Sequence, residues 1–163
     1  MDGVTASLVV APLVFAVAAL FTRAPVRRIA AALVGGVVFA AGNVGWDVVG
    51  LHAGWWHYPG FGAHGPLVWY AAGSLGFMGI ALVGWRVTRR FGGRGLLVFL
   101  AAFSVFCPIR DSIHAHRAEP MIVFGPGILP WLADAACGLS LMTVAMLIQL
   151  ALGGDVKRLR DSK

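Results

Sequence analysis

The sequence predicts an all-α, polytopic membrane helix bundle of about five transmembrane helices, with the N-terminus outside and the C-terminus cytoplasmic. Three observations predict it. Of the 163 residues, 59% are hydrophobic and 12% charged, with a mean hydropathy of +0.82; a soluble domain carries roughly 25% charged residues. The apolar residues fall in runs, at about 4–22, 29–51, 66–86, 95–114 and 128–152, mostly near the roughly 20 residues that cross a bilayer as helix. The basic residues follow the first, third and fifth runs: Arg23, Arg27 and Arg28; Arg86, Arg89, Arg90 and Arg94; Lys157, Arg158, Arg160 and Lys163. By the positive-inside rule all three groups face the cytoplasm, which an odd number of spans satisfies if the chain starts outside. Residues 1–163 therefore read as one integral-membrane domain of a cell membrane, multi-pass, with 153–163 as a basic cytoplasmic tail.

The net charge of +6 and the pI of 10.4 do not indicate nucleic acid. The arginines sit at span ends and not on one basic surface, so they read as topology signals. The first run carries Asp2 and no basic n-region, and 24–28 makes a poor cleavage site; it reads as a retained helix and not a signal peptide. Cys107 and Cys137 lie in apolar stretches without metal-type spacing. They read as buried thiols acting as small hydrophobes, with a disulfide between spans four and five as the alternative.

Span one is aliphatic, with Thr5, Ser7 and Thr22 as its polar residues and Pro12 as a potential kink. It reads as a lipid-facing or packing helix without chemistry. Span two carries Gly35, Gly36, Gly42, Gly45 and Gly50, small residues that admit a neighbouring helix. Asn43, Trp46, Asp47 and Gly50 share one face by helical spacing, which directs them into the bundle. A charge inside hydrocarbon costs between about 3 and 10 kcal/mol, so Asp47 is expected to face protein and to serve a function there.

The loop that follows holds His52, Trp55, Trp56, His57, Tyr58, Pro59 and His64. Its aromatics suit an interfacial belt, and Pro59-Gly60 a turn. Span three brings Trp69 and Tyr70 to the same level and descends through Gly73, Gly76 and Gly79, which read as packing. Leu96 to Cys107 is too short to cross, so Pro108, Arg110 and Asp111 lie near the outer boundary or in a water-filled recess. If the helix continues past Pro108, Arg110, His114 and Arg117 form one stripe with Asp111 beside it; the bland alternative is an interfacial Arg-Asp end with snorkelling. Glu119-Pro120 and 125–127 read as turns, and span five places Asp134 below Trp131. Antiparallel spans thus bring Asp47, Asp111 and Asp134 to one level, while the cytoplasmic half looks chemically empty.

Three readings follow. In the first, this level is an active site for a lipid-soluble substrate that enters sideways between helices. An acid held neutral in an apolar recess can protonate an alkene or epoxide, and aromatic faces can stabilise the carbocation. Asp47 is the expected proton donor with Asn43 as its orienter; Asp134 and Asp111 are candidates for a second acid or base, Arg110 keeping Asp111 ionised. Trp46, Trp56, His57, Tyr58, Trp69, Tyr70 and His114 complete the expected substrate contacts.

The run Asn43-Val-Gly-Trp46-Asp47, then Gly54-Trp-Trp56-His-Tyr58-Pro59, with Gly65-Pro66-Leu-Val-Trp69 opening the next helix, resembles the pattern of small membrane-embedded lycopene cyclases and the related carotenoid hydratases and integral-membrane terpene cyclases. The resemblance spans 43–69. It implies protonation of a polyene or epoxide with ring closure or hydration, a non-redox isomerase or lyase chemistry of terpenoid or carotenoid biosynthesis. It departs from the cyclases at Pro66, followed here by Leu67, Val68 and Trp69 where they carry paired glutamates, so Asp111 or Asp134 serves as a substitute for the second acid.

The second reading is a metal-dependent membrane oxygenase or desaturase using His52, His57, His64, His114 and His116 with the aspartates. The spacings that place two imidazoles on one helix face are absent, and His114-x-His116 points its rings apart; no metal site and no cofactor are assigned. The third reading is a non-catalytic protein that binds lipid, carries a proton or ion, or assists a partner, its polar groups tying helices together. The residues alone leave enzyme and non-enzyme open. The expected partners are a lipid-soluble small molecule and membrane lipid, with a second copy or another membrane protein left open and no nucleic acid.

Overall fold

The computed structural model describes residues 3–59 and 67–154, with side chains from Leu8 in the first helix and from Trp69 in the third. Asp2, His64, Gly65, Pro66 and the basic residues of the C-terminal tail lie outside the described residues, as do the side chains of Thr5 and Ser7. The fold is all-helical: α1 (Gly3–Thr22), α2 (Val26–His52), α3 (Leu67–Ala115) and α4 (Leu129–Leu152), with two short strands, β1 (Trp56–His57) and β2 (Val123–Phe124). Three of these, α2, α3 and α4, are long and apolar enough to cross a membrane, and the described part of α1 is a shorter apolar helix. The bundle's outside suits lipid: Val37 and Leu97 are 72% and 69% exposed, an apolar surface that water disfavours.

The 49 residues of α3 are two helical segments that meet at a non-helical Gly92, between the stretches 66–86 and 95–114. The element is not straight. Gly92 has φ 66° and ψ −151°, a backbone conformation open to glycine and closed to residues with a Cβ. In a straight helix Phe77 and Phe103 would lie about 39 Å apart at 1.5 Å per residue, yet their ring centroids are 5.5 Å apart. The two segments therefore fold back on each other as a helical hairpin at Gly92, and Phe99 fills the place where Gly84 has no side chain. Pro108 does not end the second segment, which continues to Ala115.

Three glycines of α2 behave as their spacing predicts, Gly35 and Gly36 admitting Met78 and Gly42 admitting Leu141, whereas a Cβ at Gly45 meets nothing within 4 Å and Gly50 admits Trp56 of β1 and not a helix. Gly76 and Gly79 seat α1 through Ala11 and Phe15, whereas a Cβ at Gly73 meets nothing within 4 Å. Gly73 is thus a wall of open space and not a packing residue. The core between α2, α3 and α4 is built of Phe39, Met78, Leu82, Trp85, Phe103, Met142 and Met146. Cys107 and Cys137 are buried and free, so the disulfide alternative is set aside.

One end of the bundle is not empty of polar groups, contrary to expectation. Arg28 is fully buried there and donates to the backbone oxygens of Gln149 and, at 2.8 Å, of Gly154. Its guanidinium lies over Trp85, 4.9 Å from the ring centroid. The carbonyls at a helix C-terminus lack partners inside the helix, and a cation there satisfies both them and the helix dipole. Arg28 is an internal cap on α4 and not only a charge at the rim.

Candidate functional site

At the other end, the face of α2 predicted to turn inward does so, with Phe39, Asp47 and Gly50 buried along it. Gly50 makes room for an aromatic ring, since the indole of Trp56 occupies the space where its side chain would stand. The chain after α2 turns back over the helix end, Trp55 N donating to Gly50 O at 2.8 Å. β1 then pairs antiparallel with β2, Trp56 opposite Phe124 and His57 opposite Val123. Extended backbone alternates its side chains, so Trp56 and Tyr58 point inward while His57 is exposed. Phe124 stacks on Trp131 at 4.2 Å, which fixes this small sheet to the start of α4.

Trp56 and Tyr58 are aimed at Asp47. The indole Nε1–H donates to Asp47 Oδ1 at 3.0 Å and the Tyr58 hydroxyl to the same oxygen at 2.7 Å. The Tyr70 hydroxyl, from α3, bonds to Oδ2. Burial, and after it the neighbouring Asp47, push the Tyr58 hydroxyl far above the usual tyrosine range, so it stays a neutral donor. Asn43 is not the orienter of Asp47: its Oδ1 accepts from the Cys137 thiol at 3.6 Å. The orienters are Trp56, Tyr58 and Tyr70.

Asp47 lines a cavity of about 380 Å³ that also receives Asp111 and Asp134. Asp111 lies one residue after Arg110, whose Nε donates to Oδ1 at 2.6 Å and Nη2 to Oδ2 at 2.5 Å. A fork-on-fork contact of this kind holds both oxygens as acceptors. The Arg110 guanidinium also sits 4.8 Å from the Phe77 ring centroid. Asp134, from α4, is 9% exposed, and its Oδ2 has no hydrogen-bond partner among the described residues. All three acids proposed from the sequence therefore share one space, including Asp47 and Asp134.

The cavity lining is mixed: Val10, Ala11, Val14, Phe39, Phe77 and Ile80 supply apolar surface, and the carboxyls, Arg110, His114 and Arg117 supply polar groups. Asn43, Trp56, Tyr58, Trp69 and Tyr70 line it as expected. Trp46 does not. At about 100° per residue Trp46 lies a quarter-turn and more from Asp47, and its Nε1–H donates to Ser140 Oγ on α4 at 3.1 Å. His57 does not line it either, for the alternation given above.

Sequence reasoning missed two contributors. α1, expected to hold no chemistry, supplies three wall residues, and Ser74 lines the cavity beside Gly73. Tyr70, Ser74 and Phe77 recur at i, i+4, i+7, a helical-face signal that was present in the third run.

The histidines do not converge. Nδ1 of His52 and of His116 contacts the backbone oxygen of Val48 and of Ser112, both on the exposed side. His114 faces the cavity. Among the described residues no group of three or more His, Cys, Asp or Glu is placed to hold a metal ion. Chemically, an apolar hollow with a carboxyl and aromatic faces can bind a greasy molecule, exchange a proton with it and shelter a cation. No family model, curated protein or solved structure matches the chain.

Proposed function

We propose that the chain is an integral-membrane enzyme that starts cyclisation or hydration of a lipid-soluble isoprenoid, a terpenoid or carotenoid, by transferring a proton from an intramembrane carboxyl, with no cofactor and no net redox change. The observation that carries this reading is the mixed cavity lining: apolar side chains that suit a branched hydrocarbon surround a space that also receives Asp47, Asp111 and Asp134. At about 380 Å³ it lies toward the small end of ligand pockets, which suits the reacting end of an isoprenoid and leaves the rest of a long chain in lipid.

In this reading the membrane is crossed five times, the α3 hairpin counting twice. The arginines after α1 and around Gly92 then lie in the cytoplasm, the N-terminus lies outside and the cavity opens under the outer leaflet. The departure from the lycopene cyclases at Pro66 is met by Asp111 and Asp134, which supply the further acids from other helices.

A second reading, a lipid-binding protein without turnover, draws on Asp47, whose three bonds tie α2, β1 and α3 together as a purely structural acid does.

The test is product formation by the protein in lipid nanodiscs with linear carotenoid and polyprenyl-epoxide substrates. The expected products have unchanged mass for cyclisation or a gain of one water for hydration, and Gly73→Leu, which projects into the cavity, abolishes them. A wild-type protein that retains these lipids and converts none of them decides for the second reading.

A further inference from the structure

We infer that Asp134, and not Asp47, carries the transferable proton of this site; as a statement about catalysis this rests on the reading above. The three carboxyls differ in what their oxygens face. Asp47 Oδ1 is engaged by an indole N–H, which can only donate, and by the Tyr58 hydroxyl, and Oδ2 by the Tyr70 hydroxyl. Asp47 is thereby held as an acceptor on both oxygens. Asp111 is gripped on both oxygens by the Arg110 guanidinium, which also only donates. Every oxygen of these two carboxyls already accepts from at least one donor.

Asp134 is the opposite case. It is more than nine-tenths buried, it lines the cavity, and its Oδ2 has no donor among the described residues. A bare anionic oxygen in an apolar surrounding is strongly disfavoured. Arg110 relieves this only in part, because its Nε and Nη2 donate to Asp111 and the Asp111 carboxylate itself repels a charge on Asp134. Asp134 is the neutral acid of the Asp111–Asp134 pair, whose side chains share a hydrogen bond, and its Oδ2 is left unpartnered at the cavity lining.

The chemistry balances on this one group. The Asp134 O–H bond breaks as the π electrons of an alkene form a new C–H bond, leaving a carboxylate and a tertiary carbocation. In cyclisation a second alkene of the same molecule attacks the cation, forming a C–C bond, and the adjacent C–H proton returns to Asp134. In hydration a water adds and its surplus proton returns to Asp134. Either way the acid is regenerated. The aromatic faces of Tyr58, Trp69 and Tyr70 border the path of the cation.

The experiment is infrared spectroscopy of the protein in lipid, exchanged between light and heavy water, together with turnover. A protonated buried carboxyl gives a carbonyl band that shifts on exchange. The expected result is that Asp134→Asn removes this band, Asp134→Glu moves it, Asp47→Asn leaves it in place, and Asp111→Asn, which frees Arg110 beside Asp134, weakens it. Turnover by Asp134→Asn falls by about 10²–10⁴-fold, the contribution of a general acid. A band that persists unchanged in Asp134→Asn, or that vanishes in Asp47→Asn, overturns the assignment. Should wild-type protein convert no substrate, the proposed enzymatic function fails while the band still decides which aspartate holds the proton.

Discussion

The two ends of this bundle both bury charge, and they do so for opposite purposes. At the arginine end, Arg28 is fully buried and directs its donors to backbone oxygens at the end of α4, while Arg27 Nε donates to Leu152 O at 2.7 Å. Arg86 caps α1 in the same manner through Phe21 O. Arg28 Nε, Trp85 Nε1 and the Gln149 amide have no partners among the described residues, but Arg28 and Gln149 are sealed by packing at 0% exposure. At the cavity end three carboxyls and Arg110 line open volume, Asp47 and Asp111 bound by side chains and Asp134 Oδ2 without a partner among the described residues. A buried ion satisfied by helix ends is architecture; a buried acid with an oxygen turned toward a cavity is available for chemistry.

The largest expected effect breaks that contrast from inside the cavity end. Asp47 belongs to the architecture there, because its acceptors hold Trp56 and Tyr58 over the cavity and Tyr70 against α2. Asp47→Asn replaces one acceptor oxygen with an NH₂ that faces donors. A buried donor left unpaired costs about 1–3 kcal/mol, so the loss is about 2–5 kcal/mol when more than one is affected. Thermal unfolding in detergent checks it, with Tyr58→Phe, which removes one donor and strands nothing, losing less. A wild-type melting curve for Asp47→Asn refutes the keystone role.

The next effect sharpens the contrast from the arginine end. Arg28→Leu removes two charge-assisted bonds to backbone oxygens, each worth about 1.5–3 kcal/mol before the part that leucine recovers by burial, so a net loss of about 2–3 kcal/mol is expected. The folded fraction should convert substrate at the wild-type rate, since Arg28 lies outside the cavity lining. A variant equally stable but inactive would place chemistry at the wrong end.

How far the sequence reached follows the same division. The inward face of α2 was legible because helical period alone carries Asn43, Asp47 and Gly50 to one side, and the meeting of the three acids was legible because antiparallel runs leave no other level for them. Arg28 was not. The positive-inside rule is a statement about where charge sits along the chain, and the side-chain direction that buries one of two adjacent arginines is set by α4, over a hundred residues away. The partners of Asp47 were half legible: Trp56, Tyr58 and Tyr70 read as aromatics at one level, and the return of β1 across Gly50 turns the donors of Trp56 and Tyr58 inward while α3 brings that of Tyr70. Two-residue strands carry too short a pattern to announce that return. The third and fourth runs were legible as separate helical segments, but not that a single non-helical glycine, Gly92, marks the break between them, since a glycine between apolar runs reads equally as loop.

The smallest expected effect tests where the cavity end stops. Trp46 precedes Asp47 and shares the inward face of α2, yet the arc of that face is wide enough to meet two neighbours: Asp47 looks toward the cavity and Trp46 toward α4. Trp46→Phe keeps an aromatic ring in place and removes the single bond to Ser140, whose hydroxyl retains its own bond to Cys137 O at 2.9 Å. Interhelical bonds in membranes average about 0.6 kcal/mol, so stability falls by about that much. Affinity for a bound isoprenoid should be unchanged, measured by retention of radiolabelled lipid on purified protein. Loss of retention in Trp46→Phe at normal stability would extend the site around the helix to α4, and the division between a reactive face and a packing face within one turn of α2 would no longer hold.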